Sequence, residues 1–260
     1  MKLLIDIGGS GIKMSNYSNG QIGSIVKYTD IKDYQQFISA IKRQCGNNPL
    51  SALAVSVAGF VDAEKGYVRM CKNADFLEGE LVKKLKSDFK FIKVSVVNDG
   101  EAHARALLCA GDRIQFGAIH LAFGTSVSFC VIDQNKKIVR PCNGENWDIG
   151  DMKMITSNEG GNDVWNALGG EYGLAELEKK VDPKDPYHHY GCRVGNLLSN
   201  LAVIFRPRTI GLSGGIISAH MSEIRSGIDE CYENPPYMEK PQFAYFPNEN
   251  SVMKGLTTLL

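Results

Sequence analysis

MKLLIDIGGSGIKMS (residues 1–15) starts as an aliphatic strand, Leu3 to Ile7, interrupted by Asp6. It turns through Gly8-Gly9-Ser10-Gly11 and rises again into Ile12-Lys13-Met14. A turn between two strands needs only one or two glycines. This one has three, with a hydroxyl, and a carboxylate near the end of a strand that reads as buried. Either the turn closes a glycine-rich hairpin, or its bare backbone N–H groups approach a phosphate, with Asp6 near a metal ion or its waters. The rest of the chain decides between the two.

The 260 residues suffice for one large domain or two of ordinary size. Lys plus Arg and Asp plus Glu are both 29, so the formal charge is zero and no basic excess points to nucleic acid. The 7 cysteines, at positions 45, 71, 109, 130, 142, 192 and 231, are odd in number, scattered and without a Cys-x-x-Cys pair. They predict free thiols in a reducing compartment rather than a disulfide framework. The first residues lack the pattern of a secretory leader, and no apolar run approaches a membrane span. A soluble, cytoplasmic protein without a membrane partner is expected.

Hydrophobic patterning alternates strands with helices. Strands are predicted at 2–7, 11–17 and 22–28, followed by a helix near 33–45 with Tyr34, Phe37, Ile38 and Ile41 on one face. SALAVSVAG (51–59) is apolar enough to be buried on both faces. A helix near 78–88, the strand VSVV (94–97) and a helix from Asp99 to about 110 complete a first unit. FGAIHLAFG (116–124), SVSFCVI (126–132) and KKIVR (136–140) then repeat the order strand, tight glycine turn, strand, hairpin strand, which reads as a structural duplication. Helices near 171–180 and 188–205, the strand TIGLS (209–213), a helix from 216 to about 230, the strand QFAYF (242–246) and a last helix follow. The expected architecture is two α/β domains with a cleft between them: residues 1–112 closed by a C-terminal helix at 248–260, and residues 113–247.

Three further stretches join the first. In VVNDGEAHARA (96–106), Asn98 and Asp99 stand where a buried strand turns into a helix. Asn98 can cap that helix, with Glu101 completing a capping-box-like arrangement. A carboxylate at the C-terminal end of a strand is also where a general base belongs. In LAFGTSVSFCVI (121–132), Gly124-Thr125-Ser126 either offers amides and hydroxyls to a phosphate or makes another hairpin. GLSGGIIS (211–218) sets Gly214-Gly215 at a strand-to-helix junction, where glycine admits a phosphate or a flat ring, or simply close packing. Each is weak alone. Four in this order, all at strand ends, are much stronger.

In this order the motifs resemble the sugar kinase, actin and heat-shock ATPase superfamily, and within it the ROK family of repressors and kinases. LLIDIGGSGIK (3–13) resembles that family's first phosphate motif, and VSVAGFVD (55–62) a strand of the same domain. KNADFLEGELVKKL (72–85) sits where a sugar-side asparagine is found, and VVNDGEAHARA is similar to the catalytic Asn-Asp helix. LAFGTSVSFCVI resembles the second phosphate motif, NLAVIFRPRTIGLSGGIIS (200–218) the adenosine segment and VMKGLTTLL (252–260) the closing helix. The resemblance spans nearly the whole chain. It implies an actin-like (ribonuclease H-like) two-domain α/β ATPase fold with mixed sheets flanked by helices. It further implies a homodimeric sugar kinase that moves a phosphoryl group from ATP, with Mg²⁺, to a hydroxyl of a sugar or sugar derivative. On this resemblance Asp99 is the catalytic base, and Asn73 and Asn98 hold sugar hydroxyls. Gly8, Gly9, Ser10, Gly124, Thr125 and Ser126 surround phosphates, Gly214 and Gly215 lie beside the nucleoside, and Asp6 orients hydrated Mg²⁺.

The chain also departs from that pattern. The family's recognition strand reads Glu-x-Gly-His, whereas WDIGDM (147–152) has Asp148 and Asp151, which are expected to meet the acceptor. The family's zinc segment is cysteine-rich, but SNEGGNDVWNALGGEYG (157–173) has neither cysteine nor histidine, and His188-His189 reads as a surface pair. No zinc is expected. Ser126 and Ser128 stand where the second phosphate motif has glycine. DIGGSGIK (6–13), the short chain and the missing zinc segment resemble the polyphosphate glucokinase branch, which keeps Glu-x-Gly-His. ATP and polyphosphate therefore both stand as donors. The changed recognition strand supports a second function, a ligand-binding or regulatory protein with little catalysis. DNA binding is not expected, because the chain enters a strand at residue 2.

Overall fold

The computed structural model describes residues 1–154, 162–180, 185–246 and 250–260. The chain divides into two compact units: Met1–Ala110 with Arg140–Asn146 and Asn250–Leu260, and Gly111–Val139 with Trp147–Glu249. Among the described residues, no helix is long and apolar enough to cross a membrane.

In the first unit, β1 (Lys2–Gly8) pairs antiparallel with β2 (Gly11–Ser18), which also carries β3 (Gln21–Ile22) and β4 (Val26–Tyr28). The strand expected over 22–28 is thus two short ones, because Gly23 N turns back to donate to Asn16 O at 2.8 Å. On the other side of β1 lies β5 (Ala52–Val57), in parallel. A separate hairpin, β6 (Phe60–Asp62) and β7 (Tyr67–Met70), follows, and β8 (Lys93–Asn98) extends the sheet parallel to β5. Alternation along β1 sorts its side chains onto two faces. Leu3, Ile5 and Ile7 join Phe37 and Ile41 of α1 (Tyr34–Cys45) and Leu81 and Leu85 of α2 (Leu81–Asp88). Leu4 packs with Ala54, Val97, Ala102 of α3 (Asp99–Leu108), and Val252, Met253 and Leu256 of the C-terminal helix Ser251–Leu256. Each such buried aliphatic side chain is worth roughly 1.5–3 kcal/mol, so β1 is an anchor for both layers. Asp6 falls on the Leu4 face, beneath α3.

The second unit repeats that plan. β9 (Ala118–Phe123) pairs antiparallel with β10 (Val127–Ile132), which carries β11 (Ile138–Val139). A short pair, β12 (Lys153–Met154) and β13 (Asn162–Asp163), stands apart; β14 (Thr209–Ser213) and β15 (Gln242–Phe246) continue the main sheet in parallel. The orders β2-β1-β5 and β10-β9-β14 match, as the duplication predicts. The helices are α4 (Val164–Leu168), α5 (Ala175–Lys180), α6 (Pro186–Phe205), α7 (Gly215–Ala219) and α8 (Met221–Cys231). Two helix expectations change here. The segment 171–180 begins as a π-helical turn over Gly170–Leu174. The helix over 216–230 is broken at His220, whose φ of −135° is not helical. Asp185 caps α6, accepting from His188 N at 3.2 Å, with Pro186 in the first turn, where no N–H is needed.

Arg140–Asn146 leaves the second sheet and packs with the first unit. Arg140 Nη2 donates to both carboxylate oxygens of Glu101, at 3.1 and 2.9 Å, and Asn146 Oδ1 accepts from Val61 N at 2.9 Å. Glu101 therefore holds Arg105 and Arg140 instead of completing a capping box.

His103 joins α3 to the C-terminal helix, its Nδ1 lying 2.7 Å from Ser251 Oγ. Burial, then the Lys13 charge, pushes its pKa down to about 4. The fold keeps the ring neutral, whereas the unfolded chain takes up a proton below about 6.5. Stability held above that pH is lost as pH falls through 4, by about 3 kcal/mol less the fraction that solvent screens. Urea titrations from pH 7 to 4 should show His103→Gln gaining stability relative to its parent as pH falls; a difference between the two that does not change with pH would contradict the assignment.

Candidate active site

The parallel strands β1, β5 and β8 end side by side, which is where open α/β sheets bind ligands. Register places Asp6 opposite Lys13 on β2 and beside Ser56 on β5, and places Val57 beside Asn98. Asn98 caps α3, its Oδ1 accepting from Gly100 N at 2.7 Å. Its amide donates to Gly59 O and to Asp99 Oδ1, both at 2.8 Å. Asn98 is buried and committed to bracing Asp99, the first residue of α3.

Asp6 is electrostatically strained. Its pKa is raised to about 6, chiefly by burial and then by the Asp99 carboxylate, against the lowering effect of Lys13 and Ser56. Lys13 Nζ is 3.9 Å away, too far for a strong pair. Ser56 Oγ is fully buried and has no hydrogen bond of good geometry, although it leans on the same carboxylate. Two carboxylates and an orphaned hydroxyl facing one lysine make an oxygen-rich, net-negative corner. That donor set fits a hydrated hard cation such as Mg²⁺.

Above this corner the Gly8–Gly11 turn lines a pocket of about 260 Å³ with Ile7, Ile12, Tyr28, Thr29, Ile31 and Asn73. Its glycines differ in what they are for. Gly11 has φ +120°, and a Cβ there would lie 2.6 Å from Tyr28 O, so the fold itself demands glycine. A Cβ at Gly8 would meet nothing within 4 Å. Packing does not explain Gly8.

The other predicted residues belong to the second unit. Gly124, Thr125 and Ser126 form the β9–β10 turn, with Gly124 N donating to Ser126 O at 3.0 Å. Gly214, at the adjacent end of β14, has φ +104°, and a Cβ there would collide with Phe123 O, whereas Gly215 faces open space. Gly170, which sequence reading passed over, donates to Gly124 O at 2.9 Å and covers the turn; the dipeptide Gly169-Gly170 was its available signal. Asp148 and Asp151 are exposed, and Asp148 Oδ1 accepts from Gly150 N at 2.8 Å.

The expectation of no zinc is corrected. Residues 157–161 of the segment on which it partly rested lie outside the described residues. His188, read as one of a surface pair, lies in α6, where it meets Cys192 and Glu230: one potential ligand atom from each lies within 4.8 Å of the others. The expectation failed because it searched contiguous sequence, whereas a close crossing of α6 and α8 assembles these donors.

No protein-family model matches the chain, and no curated protein matches its sequence. Solved structures do match its fold. A ROK-family protein from Streptococcus pneumoniae TIGR4, in complex with sucrose, has 18% identity and a TM-score of 0.78, covering 100% of this chain and 97% of that one. A ROK-family glucokinase from Streptomyces griseus, in complex with glucose and AMPPNP, has 19% identity and a TM-score of 0.76, covering 99% and 98%. A ROK-family transcriptional regulator, a homolog of the E. coli Mlc protein, has 13% identity and a TM-score of 0.81, covering 99% and 76%. The fold is therefore that of ROK proteins, kinases and a regulator alike.

Proposed function

We propose that the chain is a sugar kinase of the ROK type, transferring a phosphoryl group from ATP or polyphosphate to a hydroxyl of a sugar or sugar derivative. The coupling of Asp99 to a half-buried Asp6 beneath an open glycine turn carries this reading. Phosphoryl transfer needs in-line positioning and charge neutralisation more than covalent chemistry. Asp99 accepts the proton of the attacking hydroxyl, and Asn98 fixes the carboxylate's orientation. The amides of Gly8–Gly11 receive phosphate oxygens, and Asn73 at the pocket rim holds an acceptor or donor hydroxyl. Asp6 would hold a hydrated Mg²⁺, which would supply charge neutralisation at the phosphates. The second reading is a ligand-binding or regulatory protein, favoured by Asp148 and Asp151 in place of the family's acid–imidazole pair. It gives no reason to keep Asp6 ionisable at an energetic cost.

Donor binding tests the glycine turn. Gly8→Ala should fold within about 0.5 kcal/mol of the parent, since its methyl meets no atom. It should weaken ATP or polyphosphate binding about tenfold, the loss of one good contact. Gly11→Ala should instead lower the melting temperature. Equal donor affinity in Gly8→Ala and the parent, measured by calorimetry, would remove phosphate from this turn.

A further inference from the structure

On the second unit, α6 and α8 approach to backbone contact. A Cβ added to Gly191 would collide with Ile224 O, and one added to Gly227 would collide with His188 O and lie 2.8 Å from Cys192 N. His188 and Cys192, one helical turn apart, share the face of α6 turned toward this crossing. Glu230 faces them from α8, with His188 Nε2 3.0 Å from Glu230 Oε2. The Cys192 thiol is in hydrogen-bonding contact with Cys231, the residue after Glu230. Glu230 and Asp185 both place negative charge beside Cys192. An ordinary surface ion pair accounts for His188 and Glu230. It does not account for the Cys192 thiol within 4.8 Å of both, with a second thiol, Cys231, beside it.

We propose that His188, Cys192, Glu230 and Cys231 form a site for a zinc-class divalent ion that clasps α6 to α8. One imidazole, two sulfurs and one carboxylate are a four-donor set suited to tetrahedral zinc, and poorly suited to Mg²⁺ or Ca²⁺. Glu230 is exposed, so the ion enters from solvent, and the thiols release their protons to it on binding. The site lies outside the segment 157–173, and it is independent of the kinase reading.

The test uses the reduced, metal-free full chain titrated with Co²⁺, then with Zn²⁺. One equivalent of Co²⁺ should produce a thiolate-to-cobalt charge-transfer band with the visible bands of tetrahedral cobalt, and Zn²⁺ should displace it. Zn²⁺ should raise the melting temperature by several degrees; Mg²⁺ should not. Cys192→Ser should diminish the charge-transfer band and the double variant Cys192→Ser, Cys231→Ser should lose it, while Cys45→Ser, in the first unit, keeps it. Glu230→Gln, at an exposed position that the fold does not need, should weaken binding by at least the ~10-fold that even an outer-sphere change costs. No cobalt band in the reduced parent, or an undiminished band in Cys192→Ser and undiminished affinity in Glu230→Gln, would overturn the proposal. So would air oxidation pairing Cys192 with Cys231 in protein that takes up no metal when reduced.

Discussion

Asp99→Asn lowers sugar-kinase turnover by about 10²–10⁴-fold while the melting curve stays in place. The amide is isosteric with the carboxylate and still fits the first turn of α3. What it cannot do is accept a proton from an attacking hydroxyl. The helix loses a favourable charge at its N-terminus, roughly 0.3–1 kcal/mol, and gains relief from repulsion with Asp6, whose pKa Asp99 raises. These opposed terms leave stability near its starting value. The same substitution should shift the titration of Asp6 downward, because it removes a neighbouring negative charge. Activity equal to the parent in a well-folded Asp99→Asn would end the assignment.

Asp6→Asn is expected to cost activity by about 10²-fold, within the range of removing one electrostatic stabiliser, while making the protein more stable. The sign follows from linkage. Asp6 has a folded pKa of about 6 against an ordinary 3.8. The unfolded chain therefore releases this proton more readily than the fold does. Stability is greatest below the ordinary value and falls as pH rises through about 6, by about 3 kcal/mol at most. Asparagine removes that cost at neutral pH. Between pH 6.5 and 4 the parent gains from Asp6 what it loses at His103, so its stability profile should be nearly flat there. Asp6→Asn uncovers the His103 loss. Denaturant midpoints measured with a chelator present should show the variant more stable at pH 7 and falling toward pH 4. A variant less stable than its parent at pH 7 would mean that the carboxylate is held by partners other than those described.

Much of this was legible in the sequence for physical reasons. The aliphatic run Leu3, Leu4, Ile5 and Ile7, ending in glycines, reads as a strand buried on both faces that stops at a tight turn, and β1 is that strand. Asn98 reads as a cap because its side chain has no better partner than the helix N-terminus, and it is one. What stayed hidden depends on contacts distant in sequence. Nothing near Arg140 signals that it reaches Glu101, so the excursion of 140–146 into the first unit had no local trace. The break at His220 was lost because apolar residues continue on both sides of it. The His188 and Cys192 cluster needed Glu230 and Cys231 from another helix. Its one sequence signal was the glycine spacing, 191 and 195 against 227, which marks helices that touch along their backbones.

The central claim is that the corner formed by Asp6, Asp99 and the Gly8–Gly11 turn transfers phosphoryl groups to a sugar. The most direct measurement is mass-spectrometric detection of phosphorylated product across hexoses, amino sugars and polyols, each offered ATP and polyphosphate with Mg²⁺. The account predicts that at least one donor–acceptor pair gains a single phosphoryl group at a rate that Asp99→Asn lowers by about 10²-fold or more. Sugars that bind but are phosphorylated by no donor, or product formed equally fast by Asp99→Asn, would contradict it.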